Sequence, residues 1–298
     1  MADERFAEAD KAFSEGRRDD GIRLAAEELE RDPKAPLPVY RNLTATLIRA
    51  QRYEDAERWA RQGTEIHPRD FDLFNNLGVS LRRLRRYDEA LDALARAEKI
   101  NPKNSAALIN RGNIYNDMRN GPAAVAVWSK LVRATPANAS YQRALGRAYL
   151  NSGDVEKAEM RFRLATRLKK DDLDAWLDLI AIVGDRQGMA ASLAVMDDAC
   201  AALPTVGRLR EAKSALLRRA NRHKEAEAYL LGLMDQFGGE AWLHHQLGLA
   251  VAEWDRGRAH QYMRRSIELD PKNLEYRMGL AESLSRTRGP EESAMLEQ

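Results

Sequence analysis

Apolar residues recur along most of this chain with the spacing of amphipathic helices. In the stretch FDLFNNLGVSL, Leu73, Leu77 and Leu81 fall on one helix face. Two adjacent asparagines, Asn75 and Asn76, stand in the middle of the same stretch. Asparagine is a mediocre helix former, because its amide competes for nearby backbone groups. The pattern therefore predicts a helix that carries asparagines for a reason other than helix stability.

The helical pattern repeats with a period of 34 residues. RYEDAERWA begins at Arg52 and RYDEALDAL begins at Arg86. The same spacing separates small residues and prolines at fixed places, namely Gly78, Gly112 and Gly146; Ala56, Ala90, Ala124 and Ala158; and Pro68, Pro102 and Pro136. Small residues let paired helices approach closely, and a proline ends the second helix of a pair. The period predicts a stack of two-helix repeats.

This period and these positions resemble the tetratricopeptide repeat, a helix–turn–helix unit. The resemblance implies an all-α fold, a right-handed α-solenoid of about eight and a half repeats. The repeats are 2–35, 37–70, 71–104, 105–138, 139–172, 173–206, 207–240, 241–273 and a partial 274–298. Repeats six and seven fit least well, because Ile180 replaces a small residue and GDRQGM predicts a loose turn. We expect one solenoid over 2–298, with a candidate seam near 168–174.

The last repeat stops before its second helix is complete. Its first helix is expected to run to about Arg286, the GP pair gives the turn, and EESAMLEQ only begins the second helix. A solenoid end needs a complete cap with a polar outer face. We therefore expect the native chain to continue beyond Gln298, the alternative being that a short C-terminal helix provides the cap.

Composition and charge narrow the class of protein. Hydrophobic residues make up 44% and charged residues 32%, which is typical of a soluble globular chain, and no apolar run predicts a membrane span. The acidic N-terminus is not a secretory signal and Cys200 is the only cysteine, so we predict a cytoplasmic location. Residues 37–172 carry 25 Lys and Arg against 16 Asp and Glu, a net +9 within a chain of net +2. A basic middle between acidic flanks predicts a directional field.

Motifs for catalysis are absent from the sequence. It contains no phosphate-binding glycine loop, no Gly-x-Ser-x-Gly elbow and no His-Glu-x-x-His. His244 and His245 are adjacent, so on a helix they point about 100° apart and do not chelate one metal; one of them is expected on the groove face. Cys200 is expected to be a buried thiol. We predict that the chain is not an enzyme and takes neither a cofactor nor a metal.

The main basic cluster is LRRLRR, and such clusters are a feature of proteins that bind nucleic acid. The negative end of the helix dipole favours cations at the C-terminus of a helix, which explains why arginines cluster there. Acidic residues follow the cluster directly, and no aromatic residues alternate with the arginines, as a site that stacks bases would need. We therefore predict no nucleic-acid partner. Arg82 is expected on or near the groove, whereas Arg85 and Arg86 fall in the solvated turn.

In this repeat family the first helix of each repeat lines a concave groove, commonly with positions 2, 5, 6, 9, 12 and 13. Position 6 holds asparagine in three consecutive repeats, as Asn42, Asn76 and Asn110. Other groove positions hold Asn75, Asn113, Asn116, Arg41, Arg82, Arg143 and Arg147. A carboxamide can both donate to and accept from the backbone of one bound residue. Asparagines on the first helices of neighbouring repeats would pair with roughly every third residue of an extended peptide. The arginines would select acidic groups of that peptide.

The asparagine ladder resembles the repeat superhelix of O-linked N-acetylglucosamine transferase, which in that family recruits protein substrates for a following glycosyltransferase domain. The resemblance implies that repeats 2–5 bind an extended segment of a partner protein, as the substrate-recruiting N-terminal arm of a larger bacterial O-glycosyltransferase that modifies a protein such as flagellin. The series of asparagines at position 6 ends in the fifth repeat, where Ala144 occupies that position. Asparagine at position 6 is also common in consensus repeats. The alternative is a stand-alone adaptor or assembly scaffold that grips a partner helix.

A second comparison concerns the carboxylate clamp of chaperone-adaptor repeats. That clamp needs particular Lys, Asn and Arg residues at groove positions of three successive repeats. Repeats two to four match it fully only at Asn76, with Arg41 a partial match. Chaperone C-terminal tails are therefore not the expected partners.

Overall fold

The computed structural model describes residues 2–285, with side chains from Phe6 onward. All secondary structure in this range is α-helical, which confirms the all-α solenoid class predicted from the 34-residue period. The chain divides into two compact bodies. The N-terminal body ends at Leu168, and the C-terminal body begins at Lys169.

The N-terminal body consists of helical hairpins in which an A helix is followed by a B helix. The A helices are α1 (Ala2–Ser14), α3 (Leu37–Arg49), α5 (Phe71–Arg83), α7 (Ser105–Asp117) and α9 (Ala139–Asn151). The B helices are α2 (Arg18–Arg31), α4 (Tyr53–Ile66), α6 (Tyr87–Ile100), α8 (Gly121–Ala134) and α10 (Val155–Leu168). Each helix packs on the next, and each A helix also contacts the following A helix. The A helices therefore form one layer, which we name the A layer.

Close packing inside each hairpin depends on the periodic glycines. A Cβ atom at Gly78, Gly112 or Gly146 would lie 2.5–2.7 Å from a side chain of the following B helix. Real Cβ atoms do not approach that closely, so only glycine fits at these places. The freed space is filled by large buried side chains such as Trp128 and Phe162. The core of the N-terminal body thus lies between its A and B helices.

Turns and caps fix where each helix begins and ends. A residue with positive φ, between +55° and +79°, stands in every A–B turn of the N-terminal body: Gly16, Gln51, Arg85, Arg119 and Gly153. Side chains also cap the A helices α5, α7 and α9. Asp70 accepts a hydrogen bond from the backbone N–H of Leu73, and Asn138 accepts one from Tyr141. Such caps satisfy N–H groups that lack a partner within the helix.

The C-terminal body follows the same alternation less regularly. Its helices are α11 (Leu173–Gln187), α12 (Met189–Ala202), α13 (Gly207–Arg219), α14 (His223–Leu231), α15 (Met234–Phe237), α16 (Ala241–Val251), α17 (Arg256–Leu269) and α18 (Leu274–Ser285). The loose turn expected at GDRQGM is wrong, because α11 continues through Gln187 and only Gly188, with φ +86°, breaks the helix. Both the expected end of the last A helix at Arg286 and the segment EESAMLEQ lie outside the described residues.

Candidate functional site

All ten residues predicted to contact a partner lie on A helices of the N-terminal body. Helix α3 carries Arg41 and Asn42; α5 carries Asn75, Asn76 and Arg82; α7 carries Asn110, Asn113 and Asn116; and α9 carries Arg143 and Arg147. Their contacts divide them into two groups. Residues of the first group connect neighbouring helices, and residues of the second group line a pocket.

The ladder asparagines of the first group form hydrogen bonds across the A layer. In each case the side-chain nitrogen donates to the preceding repeat: Asn42 to Asp10 Oδ1 at 3.2 Å, Asn76 to Thr44 Oγ1 at 3.0 Å, and Asn110 to Asn75 Oδ1 at 2.9 Å. Within residues 2–285, no hydrogen bond is directed to the Oδ1 atom of any of these three donors. The ladder therefore stabilises the stacking of repeats and keeps a set of amide oxygens as acceptors.

Arg41 also belongs to the connecting group. Its Nε donates to Asp70 Oδ2 at 3.1 Å, a terminal nitrogen donates to the same carboxylate, and Asp72 lies 3.2 Å from Nε. Asp70 is buried and is also the N-cap of α5. The hydrogen bond with Asp70 raises the pKa of Arg41 above its usual range. Arg41 thus ties α3 to the start of α5.

The second group lines a single pocket of about 320 Å³ in the A layer, which we name the arginine pocket. Its lining comprises Arg82, Ile109, Asn113, Asn116, Asp117, Trp128, Ser140, Tyr141, Arg143, Ala144 and Arg147. Half of the ten predicted residues are therefore brought together, from three successive A helices. The folding of three repeats against each other produces a concave site that no single repeat contains.

The arginine pocket combines an apolar wall with a basic rim. Ile109, Tyr141 and Ala144 are partly buried, and the rings of Trp128 and Tyr141 pack against each other with a centroid distance of 6.0 Å. The charged lining consists of three arginines and one aspartate. An excess of positive charge beside an apolar wall attracts anionic groups that carry apolar neighbours.

Hydrogen bonds hold the helices around the pocket in place. Arg82 Nε donates to Asp117 Oδ2 at 2.7 Å, which ties α5 to α7. Asn116 donates to the carbonyl oxygen of Ala144 at 3.2 Å, which ties α7 to α9. Asn113 differs from these residues, because its side chain lines the pocket and forms no hydrogen bond with any described residue. Its amide is therefore available to a bound chain.

Sequence reasoning missed six of the lining residues. Ile109, Asp117, Ser140 and Ala144 stand at groove positions 5, 13, 2 and 6 of their repeats, so the positional rule could have included them. Tyr141 stands at position 3 and Trp128 lies on a B helix, and neither place gave a signal. Their role in the pocket depends on how the repeats pack, which position numbers do not contain.

The adjacent histidines of the C-terminal body require a correction. One of them was expected on the groove face, but both are buried, with His244 7% and His245 4% exposed. A ring nitrogen of His244 bonds the carbonyl of Gly238 at 2.9 Å, and the His245 ring packs against Tyr276 at 4.9 Å. Burial lowers the pKa of His245. Cys200 is buried, as the sequence predicted.

Among residues 2–285, His, Cys, Asp and Glu side chains do not form groups of three or more suited to a metal ion. None of the described helices has the length and apolar character needed to cross a bilayer.

Comparison with protein families gives a consistent result for the N-terminal half of the chain. Models described as tetratricopeptide repeat match residues 43–105, 81–148 and 141–172. Together these matches cover residues 43–172, which include the whole arginine pocket and the ladder residues Asn76 and Asn110. A search of curated proteins finds no match.

Solved structures share the fold at low sequence identity. The C-terminal part of a repeat-containing protein of this type from Cytophaga hutchinsonii is 16% identical, with a TM-score of 0.58 over 92% of this chain and 99% of that one. MamA from Desulfovibrio magneticus RS-1 is 20% identical, with a TM-score of 0.52 over 57% of this chain and 96% of that one. The Cut9-Hcn1 hetero-tetramer of APC/C is 16% identical, with a TM-score of 0.51 over 93% of this chain. This chain spans only 54% of that protein's length.

Proposed function

Because the chain is a tetratricopeptide-repeat protein, and therefore a protein–protein interaction module, we propose that its N-terminal body binds an extended, acidic segment of a partner protein in the arginine pocket. The observation that carries the proposal is the convergence of five groove residues from α5, α7 and α9 on one pocket. Convergent polar groups beside an apolar wall are typical of binding sites.

The lining chemistry supports an acidic and extended ligand. Arginine binds carboxylates through planar, bidentate hydrogen bonds, and three arginines line the pocket. Asn113 presents an amide that can pair with the backbone of a bound residue. The ladder oxygens of Asn76 and Asn110 extend this polar track along α5 and α7. An extended chain uses such a track, because its backbone groups are not paired internally.

The finer form of the proposal concerns the larger protein. We propose that the N-terminal body is the substrate-recruiting arm of a bacterial protein O-glycosyltransferase in the cytoplasm, acting on a protein such as flagellin. The ladder of Asn42, Asn76 and Asn110 supports this form. A nucleotide-sugar transferase domain encoded in frame after Gln298 is the expected finding. A stop codon shortly after Gln298 would remove this form and leave peptide binding intact.

A stand-alone adaptor that grips a partner helix is the alternative, and the apolar wall of Ile109, Tyr141 and Trp128 favours it. A helix in a groove is held mainly by apolar contacts, whereas an acidic extended segment is held by charge. Capture that persists at high salt would therefore favour the helix. Capture that declines with salt favours the acidic segment.

The test is partner capture from the native lysate, followed by mass spectrometry. Asn113→Asp is nearly isosteric and places a negative charge in the pocket, so it should greatly reduce capture of acidic segments. Asn101→Asp makes the same change at an exposed residue outside the pocket, and its capture should equal that of the wild type. Equal capture by both variants would contradict a role for the arginine pocket.

A further inference from the structure

The arginine pocket contains one carboxylate of its own. Asp117 accepts a hydrogen bond from Nε of Arg82 at 2.7 Å, and both residues line the pocket. The Arg82 side chain is 19% exposed and the Asp117 side chain is 36% exposed, so the pair borders open space. Within the described part of the chain, the two terminal nitrogens of Arg82 form no hydrogen bond. Asp117 is therefore the carboxylate that Arg82 binds in this structure, and it binds through Nε.

Asp117 stands where a helix disfavours it. It is the last residue of α7, and a carboxylate there is repelled by the negative end of the helix dipole. The equivalent last residues of α3 and α5 are Arg49 and Arg83, whose charge suits that position. Residues that violate a local preference of the helix are expected at functional sites. The position of Asp117 beside the pocket therefore indicates a functional role.

We infer that Asp117 is the specificity-determining residue of the pocket, because its carboxylate occupies on Arg82 the place that a carboxylate of the partner takes. Binding then exchanges an internal ion pair for an intermolecular one. The inference rests on the proposed function, since it assumes that the pocket binds an acidic segment. A neutral segment cannot replace Asp117 and meets an arginine whose charge is already matched. An acidic segment competes with the Asp117 carboxylate for Arg82, so Asp117 lowers the affinity of the pocket for that segment.

Binding of fluorescein-labelled poly-L-glutamate, about twenty residues long, tests this inference by anisotropy in the full chain at pH 7. Asp117→Asn should bind about fivefold more tightly than wild type, since it removes a like charge within a few ångströms of the ligand carboxylate. Asp92→Asn makes the same change of charge at an exposed residue of α6, and its affinity should change less than twofold. Arg82→Gln should bind more weakly than wild type.

Each result has one meaning. If the wild type binds poly-L-glutamate and Asp117→Asn binds no more tightly than Asp92→Asn, the inference is overturned and the proposed function stands. If wild type and all variants fail to bind, the proposed acidic site and the inference both fail. A Gly-Ser peptide of the same length should gain nothing from Asp117→Asn. Asp117→Ala is the second variant, with the same expected gain, and circular dichroism checks that each variant is folded.

Discussion

Side-chain amides perform two different tasks in the A layer, although they recur at related positions. Asn110 is half-buried and bonds Asn75 of the preceding A helix at 2.9 Å. Asn113 lies one helical turn further on, lines the arginine pocket and has no hydrogen-bond partner among the described residues. A hydrogen bond within the chain contributes to stability, whereas an amide kept for a ligand does not.

Alanine substitutions at these two positions should therefore separate stability from binding. Both changes gain about 0.5 kcal/mol of helix propensity. Asn110→Ala also loses a hydrogen bond, so it should be less stable than Asn113→Ala by about 1 kcal/mol. Chemical denaturation measures that difference. Asn113→Ala should weaken peptide binding strongly while the fold is kept. Equal stability of the two variants would show that the Asn110 bond contributes nothing.

His245 gives the C-terminal body a dependence on pH. Its ring is buried against Tyr276, with Arg218 and Glu275 as the charged groups that influence it, and burial lowers its pKa. In the unfolded chain a histidine imidazole has a pKa of about 6.5. The unfolded chain therefore binds more protons as the pH falls through that value, so His245 lowers stability below it and not above it.

His245→Asn should flatten this dependence. Thermal unfolding of wild type and variant at pH 7.5 and pH 5.5 gives the comparison. The wild type should lose more stability on acidification than the variant does, because the variant has no imidazole to protonate at that site. The four remaining histidines serve as the internal control, since both chains share them. An identical loss in both chains would contradict the role of His245.

At the scale of elements, the turns between A and B helices show how the backbone permits the repeat. The chain passes through a left-handed conformation at the same place in successive repeats. Gly153 occupies it with φ +79° and Asn221 with φ +58°, whereas Arg85 and Arg119 occupy it despite their side chains. For most residues this conformation costs about 1–2 kcal/mol, and asparagine tolerates it better. The fold therefore accepts local strain to keep the hairpin geometry.

Gly153 offers a clean measure of that strain, because no atom lies within 4 Å of an added Cβ. Gly153→Ala should lower the free energy of unfolding by about 1 kcal/mol, from backbone conformation alone. Gly153→Asn should cost less than half as much. Urea denaturation measures both. A loss that is the same for alanine and asparagine would mean that side-chain contacts, and not φ, decide the effect.

The elements also show how far the sequence predicts the fold and the site. The period predicted the helices, because residues 34 apart have the same packing role in each hairpin. It did not predict that α11 continues through Gln187, since helix propensity at a degenerate repeat is overruled by packing. The groove positions placed Asn113 and Arg143 but not Tyr141, whose contact with Trp128 joins two repeats.

At the scale of the whole molecule, the chain consists of two compact bodies, each of which contains a buried apolar cluster. The core of the N-terminal body includes Tyr40, Trp59 and Phe74. The core of the C-terminal body includes Leu230 and Leu247. In a solenoid, stability comes from each repeat and its immediate neighbours.

The N-terminal body alone should therefore fold and bind. A fragment of residues 1–168 is expected to show the circular dichroism of a helical protein and cooperative thermal unfolding. It should bind poly-L-glutamate about as well as the full chain, because the whole arginine pocket lies within it. The fragment 169–298 is the control and should not bind. A folded 1–168 fragment that fails to bind would contradict the assignment of binding to the arginine pocket.

Charge distribution adds a prediction at the same scale. Residues 37–172 carry a net +9, so attraction to an acidic partner is spread over this part of the chain. Exposed charges are screened over about 8 Å at physiological ionic strength. Raising the salt concentration from 50 to 500 mM should therefore weaken binding at least about tenfold, as isothermal titration can measure. Salt-independent affinity would favour an apolar mode of recognition.

The 34-residue period in the sequence is enough to define the repeat, because it fixes which side chains face a neighbouring helix and which face outward. It also determined that asparagines and arginines lie on the A helices. What each of these side chains contacts depends on how the repeats stack. Asn76 and Asn110 bond to the preceding A helix, Arg41 is tied to Asp70, and Asn113 faces the pocket. The two partners of each hydrogen bond are 29 to 35 residues apart in the sequence and meet only when repeats stack. The periodic pattern of the sequence therefore does not specify these contacts.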